Sequence, residues 1–76
     1  MDFIQACGTA VALAREISEV VRVYQYPIGD YLFYAKRDSL VNDNTGWLYQ
    51  VYPGGRKVLS LAGVDTCKRL GIRLPN

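Results

Sequence analysis

Two cysteines, Cys7 and Cys67, and three serines, Ser18, Ser39 and Ser60, are the candidate nucleophiles of this 76-residue chain. A hydroxyl or thiol becomes a nucleophile when a neighbouring base takes its proton, and histidine, the commonest such base, is absent. None of the serines sits in a nucleophile-elbow context. Asp30, Asp38 and Asp43 could approach one another across loops, but carboxylates in turn-rich segments are ordinarily just solvated. The cysteines lie far apart, without the paired spacing of a zinc site, so no metal is expected. The segment Pro53-Gly54-Gly55-Arg56-Lys57 superficially suggests an anion site, yet it opens no helix, as a phosphate loop does. The expectation is a non-enzymatic protein with no catalytic residues, no cofactor and no metal.

Residues suited to binding are better represented. Eight of the nine aromatics (Tyr24, Tyr26, Tyr31, Phe33, Tyr34, Trp47, Tyr49 and Tyr52) lie within residues 24–52. Many of them must fill a core, but a sheet has two faces and one helix covers only one. Tyrosine and arginine are the residues that most often anchor protein interfaces. The expected partner-binding set is therefore Tyr52 as aromatic anchor, with Arg56, Lys57, Lys36 and Arg37 as charged contacts. Lys68 and Arg69 are further members of that set.

Charge supports the same region. Residues 1–45 carry a balance of −2 and residues 46–76 a balance of +4, for a net +2. A basic half meets an acidic protein surface or nucleic acid. Five positive charges are few for a dedicated nucleic-acid binder, so a protein partner is favoured.

The elements that must position these residues are legible in part. Residues 47–61 read as a β-hairpin turning at Pro53-Gly54-Gly55, where proline presets φ and glycine accepts the positive φ that follows. A three-residue loop with Gly55 left-handed sets Tyr52 opposite Arg56, Val51 opposite Lys57, Tyr49 opposite Leu59 and Trp47 opposite Leu61. One face then gathers Trp47, Tyr49, Val51, Leu59 and Leu61, with Trp47, Tyr49, Leu59 and Leu61 assigned to the core. The other gathers Leu48, Gln50, Tyr52, Arg56, Val58 and Ser60. Residues 2–18 read as a helix that starts with a capping box, Asp2 with Gln5. Its buried stripe is Phe3, Cys7, Ala10, Ala14 and Ile17, widened by Ile4, Val11 and Leu13. Its apolar run ends at Arg15-Glu16, too short to span a bilayer. Residues 20–26 and 31–37 read as two strands, residues 38–46 as a polar loop, and residues 64–70 as a short helix ending at Gly71 in a Schellman motif.

The whole is one α+β domain over residues 1–76: an N-terminal helix on a four-stranded antiparallel sheet of two hairpins, then a short C-terminal helix. A chain of this length buries only about 60% of its unfolded surface, so self-association is the expected source of extra burial, as a homodimer through the slim, alanine-rich N-terminal helix. No basic, apolar and small-residue sequence of signal-peptide type opens the chain, which favours a reducing cytoplasm and two buried thiols. No membrane partner is expected.

In outline, the basic hairpin followed by a short basic helix, over roughly residues 46–72, resembles the DNA-binding arms of integrase-type proteins. That likeness implies a DNA-binding accessory protein; separately, the tyrosines could stack the bases of a single strand while Lys and Arg hold its phosphates. In size and lack of motifs the chain resembles small proteins of phages and mobile elements that inhibit host or defence complexes by docking. This second likeness is to a class rather than a family, and it implies a protein-binding regulator or inhibitor.

Overall fold

The computed structural model describes residues 2–25, 33–37 and 46–74, with residues 33–37 described by their backbone alone. Helix α1 spans Phe3–Ile17, strand β1 Val21–Gln25, β2 Phe33–Arg37, β3 Trp47–Val51 and β4 Lys57–Leu59, and helix α2 spans Leu61–Leu70. The architecture is α+β, an N-terminal helix, an antiparallel sheet and a C-terminal helix.

Helix α1 begins as its sequence requires. The Asp2 carboxylate accepts the Gln5 N–H at 2.8 Å, and the Gln5 side-chain oxygen accepts the Asp2 N–H at 3.1 Å. Two of the orphan N–H groups at the helix start are thereby satisfied. The helix ends on Ser18, which is left-handed at φ 56°. Phe3, Ala6, Cys7, Ala10 and Ala14 form its buried face. Its apolar surface is wider than that face: Ile4, expected to widen the buried stripe, is 53% exposed.

The sheet runs in the order β2-β1-β3-β4, so the chain passes from β2 on one side of β1 to β3 on the other. Val21 pairs with Val51 and Val23 with Tyr49, and these four side chains lie buried against α1. Arg22, between the two valines, pairs with Gln50 and with Lys36. Side chains alternate across a strand, so Arg22 and Gln50 belong to the face away from the helices.

A bulge then changes the alternation. Val23 pairs with Tyr49 but Tyr24 pairs with Trp47, which leaves Leu48 as the extra residue of β3. Leu48 joins the core at 6% exposure rather than the outer face expected of it, and Trp47 is half-buried and outside the core cluster.

The second hairpin has the expected register, with Tyr49 opposite Leu59, Gln50 opposite Val58 and Val51 opposite Lys57. The Tyr52 N–H bonds to the Arg56 carbonyl at 2.8 Å and the Gly55 N–H to the Tyr52 carbonyl at 2.9 Å, with Gly55 at φ 100°. Beyond Leu59 the expectation fails. Leu61 is not paired with Trp47 in the strand; it is the first residue of α2 and is 87% exposed. The reason is Ser60. Its hydroxyl accepts the Gly63 N–H at 2.9 Å and donates to the Trp47 carbonyl at 2.7 Å, and its own N–H reaches the Leu48 carbonyl at 3.1 Å. An N-cap of this quality starts α2 three residues before the expected Val64 and ends the strand. The other end is as expected: Gly71 is left-handed at φ 67°, and Ile72 N–H reaches the Cys67 carbonyl at 3.0 Å.

Both helices lie on one side of the sheet, for Cys67 of α2 and Cys7 of α1 share the core with Tyr49 and Val51. The approach of α2 to β3 is set by Gly63, where an added Cβ would collide with the Leu48 carbonyl oxygen and meet the Leu59 side chain at 3.0 Å. Helix propensity alone favours alanine over glycine, whereas this contact forbids it. Gly63→Ala is therefore expected to lower stability by about 2–3 kcal/mol, the scale of an overpacked core. Urea denaturation measures it, and an unchanged or higher midpoint would contradict the contact.

Candidate functional site

Tyr52 follows β3 directly, and the tight turn sets it opposite Arg56. Its phenol oxygen accepts a hydrogen bond from Gln50 Nε2 at 2.7 Å, while Gln50 Oε1 accepts one from Arg22 Nε at 2.6 Å. The three residues form one line across the outer face of β1 and β3. Gln50 is 8% exposed, so both ends of its amide need partners, and Arg22 and Tyr52 supply them. Above the ring, the Arg56 guanidinium carbon stands 5.3 Å from the Tyr52 centroid, a cation–π geometry.

This arrangement fixes an aromatic side chain at an exposed tip. Because the Tyr52 hydroxyl accepts from Gln50, its own proton is directed elsewhere and can be donated. Stacked on the ring, the Arg56 guanidinium retains its planar set of donors for a carboxylate or phosphate. Among the described residues, neither Arg56 nor Lys57 has an ion-pair partner. The positive charge of the tip is uncompensated among the described residues.

The remaining expected site residues separate. Lys57 faces Val51 on the core side of the hairpin and lines a cleft of about 170 Å³ with Ile4, Cys7, Gly8, Val11, Tyr49 and Leu74. It does not share the surface of Tyr52, because adjacent strand residues point to opposite faces. Lys36 stands opposite Arg22 in the register and Arg37 opposite Val21, and the side chains of both lie outside the described residues. Lys68 and Arg69 are exposed on the last turn of α2, in the helical layer, where Arg69 Nη2 donates to Thr66 Oγ1 at 3.3 Å. They complement the helix dipole and are not brought to the hairpin tip.

Two residues of the site, Arg22 and Gln50, were absent from the set expected from sequence. Gln50 had a signal, since it lies two residues before Tyr52 and so on the same face. Arg22 had none without the strand order, because nothing local says that β1 lies beside β3.

Both thiols are buried and free. Burial pushes the Cys7 thiol from its ordinary value of 9.0 up to about 12, with the Cys67 sulfur adding to the shift, and burial also raises Cys67. The Tyr49 phenol is raised by burial as well, and then by Cys7. Among the described residues, no group of three His, Cys, Asp or Glu side chains could hold a metal ion, and no helix is long and apolar enough to cross a membrane.

Comparison with family models, with curated proteins and with solved structures returns no match.

The cysteine environment makes a pH dependence. A thiol raised to about 12 in the fold and ionising near 9.0 when unfolded favours the native state fully below pH 9. Above that, the unfolded chain loses its proton first, so stability falls as pH rises from about 9 towards 12. Denaturant melts across this range should show the decline, and Cys7→Ala should flatten it. A profile unchanged by that substitution would contradict the burial of the thiol.

Proposed function

We propose that the chain is a small, non-enzymatic binding protein that docks an acidic protein partner through the outer face and tip of the second hairpin of a four-stranded sheet. It acts in the cytoplasm as a regulator or inhibitor, of the kind that phages and mobile elements encode for host takeover or anti-defence. The observation that carries the reading is the line Arg22–Gln50–Tyr52 under the Arg56 guanidinium. A tyrosine already held by a hydrogen bond and a stacked cation loses little rotamer freedom on binding, and its binding energy is not spent on ordering. Tyrosine with arginine in such a setting is the usual composition of an interface hot spot.

Nucleic acid is the second reading, favoured by the same stacked pair of aromatic ring and cation. Base stacking on single strands ordinarily uses several ring faces in succession. Here one face of Tyr52 is covered by Arg56, and Lys57, Lys68 and Arg69 point to other surfaces. That dispersal supports a protein partner.

The double variant Tyr52→Ala with Arg56→Ala should keep the wild-type circular dichroism, melt somewhat lower because the Gln50 amide loses its Tyr52 partner, and lose capture of the partner from host extract. Retained capture would overturn the site. In mobility-shift assays at low salt, single- and double-stranded DNA should not be retained. Retention that falls steeply with added salt would establish the nucleic-acid reading instead, since phosphate binding releases counterions.

A further inference from the structure

We propose that the outward face of α1 is a self-association surface, on which a second copy of this chain packs antiparallel about Gly8. The surface is distinct from the hairpin tip, and the inference does not depend on what the tip binds. Ile4 is 53% exposed on a helix whose opposite face is fully buried. It borders two shallow, mostly apolar clefts, one of about 170 Å³ with Gly8, Val11, Leu74 and, at its edge, Lys57, the other of about 230 Å³ with Asp2, Phe3, Leu70 and Ile72. Each volume is that of one large side chain, well below the usual small-molecule site. Ile4, Gly8 and Ala12 follow one another at four-residue spacing on the exposed side, and no charge interrupts the helix before Arg15. An added Cβ at Gly8 would meet nothing within 4 Å, so another backbone can approach closely there.

Charge complementarity selects the occupant. With a two-fold axis beside Gly8, Ile4 of one copy lies over Ala12 of the other, next to the cleft at Gly8 and Val11. Asp2 then comes within about one residue's rise, roughly 1.5 Å along the axis, of Arg15 in the other copy. The symmetry repeats that pair, giving two ion pairs, and Glu16 falls by the other helix's start, where the dipole favours an acid. A parallel pair would instead set Asp2 beside Asp2 and Arg15 beside Arg15. The helix is about 22 Å long, and such a face buries less than the roughly 800 Å² per partner of a standard interface. The dimer is therefore weak, in the micromolar range or above.

Sedimentation velocity on the full chain, up to about 1 mM, should show a monomer–dimer equilibrium, since even a Kd near 100 µM gives mostly dimer there. Ile4→Glu should weaken association at least tenfold with circular dichroism unchanged, as the side chain is half in solvent. Under mild oxidation, Gly8→Cys should crosslink to itself between copies, whereas Ile4→Cys should not. A monomer at every concentration, association indifferent to Ile4→Glu, or self-crosslinking of Ile4→Cys would each overturn the proposal.

Discussion

The carbonyl of Leu48 is the point at which sheet and helices are joined. It lies at the bulge of β3, accepts the Ser60 N–H, and is the atom against which Gly63 of α2 rests. Three consequences meet there: β4 ends, α2 begins, and α2 comes close enough for Cys67 to reach the core that Cys7 occupies. A carbonyl freed from regular pairing by a bulge would be an unsatisfied acceptor, and Ser60 satisfies it. The small size of Gly63 does the rest.

With both helices held on one side, the other face of β1 and β3 is left to make its own contacts. Among the described residues it carries the polar line of Arg22, Gln50 and Tyr52, with the buried Tyr24 beside it. Gln50 is buried on that face only because Arg22 and Tyr52 take both ends of its amide. A buried amide with one end unpaired would be costly, so the line is a strong constraint on where Tyr52 stands. The same physics that fixes a buried glutamine presents a rigid aromatic and its stacked arginine to solvent.

What was legible in the sequence is what is local. The Asp2–Gln5 capping box, the Gly55 turn with its register, and the Gly71 helix stop each depend on residues within a few positions of one another. What was not legible depends on long-range placement. Ser60 suits both a strand end and an N-cap, and the nearby Trp47 and Leu48 carbonyls decide between them. Leu61, apolar and in strand rhythm, looks like core but is turned outward by that cap. Leu48 changes face through a bulge that no pattern announces. Of the expected site, Tyr52 and Arg56 are together; Lys57 is separated from them by strand alternation, and Lys68 and Arg69 by the position of α2. Gly63, decisive for the helix approach, lies just outside the helix expected over residues 64–70, so the sequence marks it with no role.

In the proposed function, Tyr52 and Arg56 form a pre-set docking point on the face away from the helices. Amide hydrogen exchange, compared between the free chain and its captured complex, tests it most directly. Protection should rise at residues 49–58 and along β1 around Arg22, because partner contact at the tip and outer face slows opening there. Protection confined to the helices, with the hairpin exchanging as in the free protein, would contradict it.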